Sequence, residues 1–405
     1  MHRSVRKSLP QPGSPLSPSA KHWRLASRLV TFVGLLAASA PNPFLPVMVE
    51  DLHTSVVLLG QIIALSLFLA AGIGLLIGPL ADRYGYRLLL LVGIFAAVVT
   101  AVGVAMASTV ATLLLAILVS AVTRAITQPV STAIAGTRFA GEARRRAISW
   151  VVSALSAAPI IGISAMTTLA SSLGWRAAFV ALAILAAGVG VFTLAVVPRD
   201  ESHADQPLRL DTWRASFAPL LQHSPTLALI GAYTLRFSSV TMLVTYLGAY
   251  LVQSFGLSTE QIGIVYMVVG LGFLLGSLAA GGRLGRAPLR PVVIVTSLLL
   301  TCGMAGAFIL PLSVAGAVGL ITVAALAAGY GTVAISTLLM TESPAGRATT
   351  MTLTHAVISL GGAGGAALGG LLLEFGGYAA IGLSIPILGV VAASPVWGTR
   401  ARAVT

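Results

Sequence analysis

Charge is what this sequence has least of. Only 9% of its 405 residues are Asp, Glu, Lys or Arg, whereas a soluble domain carries about 25%. With 57% hydrophobic residues and a mean hydropathy of +0.97, most of the surface must face lipid. Cysteine is nearly absent too. Cys302 stands alone, which excludes an intrachain disulfide and any thiolate metal cluster. The only lysines, Lys7 and Lys21, lie near the N-terminus. A phosphate loop needs a lysine behind its glycine-rich turn, so a nucleotide-driven pump is excluded for this polypeptide, leaving only an external motor subunit. No H-E-x-x-H occurs and the histidines are dispersed. The chain is therefore expected to be no enzyme and to hold no cofactor or metal.

What is present is a series of long apolar runs. Stretches of bilayer-spanning length lie near 29–49, 57–80, 88–107, 110–136, 149–171, 177–197, 226–252, 261–282, 291–311, 314–340, 350–373 and 378–397. None alternates with period two, so helices and not a barrel are expected to cross the membrane. The implied organisation is a basic Pro/Ser-rich tail (1–24), six spans (25–198), a linker (199–223), six more spans (224–397) and a short tail (398–405). In the linker Trp213, Phe217 and Leu220 fall at helical spacing beside Arg209 and Arg214. That pattern suits an amphipathic helix on the membrane surface or a disordered connection.

The net charge of +13 raises nucleic acid as a partner, but the basic residues sort by topology instead. With the N-terminus inside, 21 of the 24 Lys and Arg fall on the cytoplasmic side. Arg176 alone falls outside, and Arg124 and Arg236 fall within spans. This is the positive-inside asymmetry of an even number of spans. It predicts a multi-pass protein of the cell (inner) membrane with both termini cytoplasmic, the bilayer as a partner and no nucleic acid. Ala38-Ser39-Ala40 imitates a signal-peptidase site, but Pro41 follows directly, and the segment is read as a retained first helix.

The halves repeat at an offset near 200. Arg83-Tyr84-Gly85 recurs as Arg283-Leu284-Gly285, and Gly174-Trp175 as Gly377-Tyr378. Two parallel six-span repeats characterise one transporter architecture. Gly78-Pro79-Leu80-Ala81-Asp82-Arg83-Tyr84-Gly85-Tyr86-Arg87, after the second of twelve spans, resembles the cytoplasmic signature of the major facilitator superfamily. Gly174-Trp175-Arg176-Ala177-Ala178-Phe179 is similar to that family's junction between helices five and six. Pro43-Phe44-Leu45-Pro46 and Phe255-Gly256-Leu257-Ser258 resemble its drug and sugar efflux branches. The resemblance implies an all-α fold of twelve transmembrane helices in two pseudo-symmetric bundles, monomeric, exchanging a small-molecule substrate, with protons as a candidate coupling ion. It also implies a gating motif of Gly78, Asp82, Arg83, Gly85 and Arg87. There Asp82 either latches the start of the eleventh helix near Thr349–Thr350 or only serves topology.

Intramembrane charges are costly, about 2.5–3.5 kcal/mol on insertion scales, and usually face a cavity. In the fourth span Arg124 shares a face with Ser120, Thr127, Gln128 and Ser131. In the seventh, Arg236 shares one with Tyr233, Ser239, Tyr246 and Tyr250. The family pattern lines its cavity with helices one, four, seven and ten, to which Asn42 and Tyr330 would contribute. Each arginine is either a substrate or coupling residue or a tie to a backbone carbonyl at a helix break. His355, the only histidine within a span, either carries a proton near neutral pH or is a packed polar residue beside Thr352 and Ser359. All eleven carboxylates fall in loops or at span ends. That disfavours a cationic substrate and suits a neutral polar or anionic one. In the fifth span Pro159 and Gly162 resemble a degenerate antiporter motif, and Pro159 is expected to bend its helix. Export by proton exchange, facilitative uniport or import, and a sensor that has lost transport are the readings left open.

Overall fold

The computed structural model describes residues 18–138, 151, 154, 156–198, 217–220, 222–281, 288–310, 312–344 and 347–398. These residues run in twelve helical spans. The first, α1, has two segments, Pro18–Ser39 and Pro41–Asp51. Then come α2 (Val56–Tyr84), α3 (Tyr86–Ala105) and α4 (Val110–Arg138). The described part of α5 is Ala158–Ile163, which is π-helical, continuing as Ser164–Leu173, and α6 is Trp175–Val196. The second half has α7 (Ser224–Phe255), α8 (Thr259–Gly281), α9 (Leu289–Ile309) and α10 (Val314–Glu342). A last helical run, Arg347–Gly398, is broken at Gly377 into α11 (347–376) and α12 (378–398).

Ten of these helices are long and apolar enough by themselves to cross a bilayer. The difference from twelve is one of segmentation, since Ala158–Leu173 is short and the run through Gly377 is continuous. The outward faces are apolar, with Phe95 68% and Phe375 86% exposed, as lipid-facing helices require. Small polar caps set several starts. Ser55 Oγ accepts from the Leu58 amide at 3.1 Å and Ser313 Oγ from the Gly316 amide at 3.3 Å.

Two expectations shift here. Helix α1 begins at Pro18, inside the stretch read as a solvated tail, and Trp23 is 2% exposed against the core. Composition disfavours helix only where no apolar face can be buried, and Trp23, Ala26 and Val30 provide one. The gap expected between the second and third spans shrinks to one residue. Asp82 lies in the last turn of α2, and Gly85 alone joins α2 to α3 with φ 80°, ψ 161°. Gly174 joins α5 to α6 at φ 85°, ψ 157°, and Gly377 joins α11 to α12 at φ 63°, ψ −162°. This corner of backbone space is essentially reserved for glycine. Arg144, Arg145, Arg146, Arg209, Trp213 and Arg214, the repeated Arg283-Leu284-Gly285, and the Asp82 and Thr349 side chains lie outside the described residues, while residues 217–220 of the linker are helical with Leu220 buried.

Helices α1–α6 pack among themselves as one bundle and α7–α12 as another. We call the end carrying Arg83, Arg87 and Arg290 the arginine-rich face, and the end carrying Asp51, Arg176 and Glu260 the opposite face. A Cβ at Gly174 would meet nothing within 4 Å, so a substitution there tests backbone strain alone. Gly174→Ala is expected to destabilise the protein by about 1–3 kcal/mol, read as a lowered melting temperature in detergent.

Candidate functional site

The seam between α4 and α1 is polar along its length. Ser131 Oγ donates to the Ser27 carbonyl at 3.2 Å, Thr127 packs on Gly34, and Arg124 Nη2 donates to the Ala38 carbonyl. Ser120 turns to α2 instead, its hydroxyl 2.9 Å from that of Ser66. Arg124 thus meets α1 where that helix breaks. Pro41 and Pro43 have no N–H to offer the carbonyls of Ala37 and Ser39, so the ladder loses its rungs. The guanidinium donates to the carbonyl between these two, Ala38, whose own i+4 residue is Asn42 and not a proline. Arg124 stays half-buried, its Nε has no partner, and Asn42 Oδ1 is buried without one. Gln128, half-buried one turn on, makes no side-chain hydrogen bond among the described residues.

Arg236 departs from the expected cavity position. It is 3% exposed and lies within the second bundle. Nη1 donates to Ser297 Oγ at 2.7 Å, and Nη2 to the carbonyls of Ala327 at 2.7 Å and Ala328 at 3.3 Å. Gly331 makes room, because a Cβ there would overlap the guanidinium. Tyr233, 2% exposed, sits 3.2 Å from Ser336 Oγ on α10. Tyr246 is fully buried and donates to the Ala366 carbonyl of α11 at 2.7 Å. Tyr250 donates to the Ala307 carbonyl of α9 at 2.5 Å and packs edge-on against Phe255, Phe308 and Tyr378. Helical spacing identifies which residues share a face. It does not say which neighbour that face meets: Tyr233, Arg236 and Tyr250 meet their own bundle, while Tyr246 also reaches Gly60 of the other. Tyr330 on α10 and His355 on α11 remain half-buried, and His355 has no hydrogen-bond partner among the described residues.

Around Pro159 the backbone is π-helical over Ala158–Ile163, and Gly162 lets Leu36 of α1 approach. At the signature, Arg87 donates to the Leu194 carbonyl of α6 at 2.7 Å, and Arg83 lies 5.3 Å from the Tyr84 ring centre. Two ion pairs escaped the reading of the sequence. Arg290 and Glu342 make a bidentate pair at 2.9–3.0 Å across α9 and α10. On the opposite face Arg176 pairs with Asp51 at 2.6 Å and donates to the Ala107 carbonyl at 2.9 Å. Their signal was available: Arg176 is the one basic residue assigned to that side, and Asp51 ends the first span.

Several contacts between the bundles lie in the half next to the opposite face. On α2, Gln61 Nε2 donates to the Ala367 carbonyl of α11 at 3.0 Å. On α5, Ser164 Oγ donates to the Gly263 carbonyl of α8 at 3.2 Å. On α1, Asn42 and Pro43 lie against Gly248 of α7. The most extended interface between the bundles is that of α2 with the run Arg347–Gly398. Among the described residues α4 shares no packed interface with α10, and Gly72, Gly74 and Gly78 of α2 have nothing within 4 Å of a would-be Cβ.

The family profile of the Major Facilitator Superfamily matches residues 29–363. The chain belongs to that superfamily. Solved structures with the same fold include a bacterial homologue of the human lysosomal transporter Spinster, inward-facing and unoccupied, at 18% identity and TM-score 0.71, covering 95% of this chain and 97% of that one. The human organic anion transporter MFSD10 (TETRAN) shares 18% identity at TM-score 0.71, covering 94% and 100%. A point mutant of the nucleoside transporter NupG shares 17% at TM-score 0.73, covering 93% and 99%. No curated protein matches the sequence. The twelve-helix, two-bundle architecture is that of the superfamily.

The bonds of Arg236 yield a prediction. Each charge-assisted hydrogen bond contributes about 1.5–3 kcal/mol, and Arg236→Met gives up all three. A lower melting temperature in detergent is expected. An unchanged one would place the guanidinium outside the bundle core.

Proposed function

We propose that this membrane protein is a secondary transporter that moves a small neutral or anionic solute by alternating access. The observation that carries the reading is the pair of bundles, tied by hydrogen bonds near the opposite face while α4 and α10 share no packed interface among the described residues. Alternating access requires a two-state arrangement that a solute can bias through unequal affinity. If the arginine-rich face is cytoplasmic, as the positive-inside rule demands, the structure is the inward-open state.

The solute class follows from charge. No carboxylate lies at mid-membrane in the sequence to hold a cation, while Arg124 keeps a partly exposed guanidinium at the middle of α4. A half-buried arginine beside Gln128 suits a carboxylate, a phosphate or a hydroxyl-rich neutral molecule. Organic anions and nucleosides, the solutes for which two structural neighbours are named, fall within that range. Export is the direction favoured by the likeness of Pro43–Pro46 and of the Pro159 run to efflux members, with protons as the coupling ion. Half-buried His355 is the candidate carrier on α11. The same lack of an intramembrane carboxylate favours a second reading, facilitative uniport, in which no proton moves.

Flux of candidate anions and nucleosides into proteoliposomes, with and without an imposed pH gradient, separates the two readings. Proton coupling predicts accumulation against a solute gradient only when the pH gradient is present. Uniport predicts equilibration in both cases, and a protein that senses without transporting gives no flux. Arg124→Ala is expected to reduce transport by about tenfold or more, the equivalent of one lost charge-assisted bond, with membrane insertion retained. Wild-type flux from the inserted variant would remove Arg124 from the solute site.

A further inference from the structure

The crossings that close the opposite face have a repeated construction. Gly60 is the fifth residue of α2 and Gly263 the fifth of α8, the corresponding helices of the two halves. Each receives a side chain from the other bundle. A Cβ at Gly60 would overlap the Tyr246 hydroxyl, and one at Gly263 would overlap the Thr167 hydroxyl. Beside each socket runs the hydrogen bond that ties the bundles together, Gln61 to the Ala367 carbonyl and Ser164 to the Gly263 carbonyl. The helix pairs involved, α2 with α11 and α8 with α5, exchange under the internal repeat. The occupants are themselves held in place. Tyr246 is pinned by its bond to the Ala366 carbonyl, with Gly369 and Gly370 of α11 against its ring and hydroxyl. Thr167 Oγ1 donates to the Ser164 carbonyl at 2.9 Å.

We propose that Gly60 and Gly263 are a matched pair of sockets, filled by Tyr246 and Thr167, whose occupancy locks the opposite face shut. The inference rests on the alternating-access reading and names the residues that set its closed-to-open equilibrium at that face. Helix surfaces in a bilayer gain no hydrophobic drive from meeting each other. Close approach at small residues and hydrogen bonds must supply the association. At both crossings the bundle–bundle hydrogen bond ends on a backbone carbonyl and a socket glycine adjoins it, Gly60 beside the donor Gln61 and Gly263 at the acceptor itself. One added methyl group separates the helices and breaks that bond together with the packing. In the open state neither socket is filled, so the same methyl costs nothing there. Substitution therefore shifts the equilibrium in one direction.

The test places spin labels at Ser171 and Glu260, exposed positions at the opposite face on α5 and α8, in a Cys302→Ser background. Their separation is read by pulsed electron resonance in nanodiscs. The parent protein is expected to give one short distance. Gly263→Ala is expected to add a longer-distance population, and Thr167→Gly in that background is expected to remove it, because the clash needs both partners. Gln61→Ala and Ser164→Ala add no volume, so they cover the case in which Gly263→Ala fails to fold. Each should raise the long-distance fraction, and together they should raise it further. Distances that stay at the parent value in folded Gln61→Ala, Ser164→Ala and the double variant overturn the lock. So does a long-distance population in Gly263→Ala that persists with Thr167→Gly. A shift in distance without measurable flux of any solute upholds the lock and counts against transport.

Discussion

Inside a bilayer a carbonyl that has lost its helical donor has no water to turn to, and each such group costs several kcal/mol. This constraint organises the first bundle. The proline run of α1 withholds amide hydrogens where the helix passes between its neighbours. Between the two carbonyls that Pro41 and Pro43 leave without donors, Ala37 and Ser39, the guanidinium of Arg124 reaches across from α4 to the Ala38 carbonyl. An arginine that would be expensive against lipid becomes useful beside a broken ladder. In the second bundle Arg236 plays on intact helices, bridging Ser297 of α9 and two carbonyls of α10. Both arginines tie helices together, but Arg236 is enclosed and Arg124 is partly open. That difference makes Arg124 the candidate for meeting a solute.

The second organising fact is how closely the helices approach. Side-chain hydroxyls and amides of one helix repeatedly end on backbone carbonyls of another, as with Ser238 on the Gly361 carbonyl, Tyr246 on Ala366 and Tyr250 on Ala307. Such contacts need glycine or alanine on the accepting helix, and glycines are what α11 provides at 361, 365 and 369, where a Cβ would strike α7. Within a bundle this makes permanent interfaces. Between bundles the same chemistry recurs near one face, with Gln61 on the Ala367 carbonyl and Ser164 on the Gly263 carbonyl.

Much of this was legible in the residues alone. Run lengths yielded the span count, and the Gly78–Arg87 segment the family resemblance that the profile match makes a finding. Burial of Tyr233 and Arg236 in their own bundle, and of Tyr246 between the bundles, was not legible, because periodicity leaves open which of two neighbours a helix face meets. Nor was the partner of a charge: Ser297 and Gly331 carry no sign in the sequence that a guanidinium sits between them. The start of α1 was misplaced because a Pro- and Ser-rich composition was weighed without the apolar face of Trp23, Ala26 and Val30. The π-helical form of the Pro159 region also lay beyond reach, since a missing amide announces a distortion but not its kind.

The one-residue junctions have a mechanical consequence. Gly85, Gly174 and Gly377 each turn the chain through a full reversal with no slack on either side. A tilt of α2 cannot be absorbed by a loop and must pull α3 with it, and the same coupling joins α5 to α6 and α11 to α12. The helices that form the moving seams, α2, α5 and α11, are thereby each yoked to a lipid-facing neighbour. Any rearrangement at the seam reaches the annular lipid as torque, and bilayer thickness and stiffness become part of the energy of the switch.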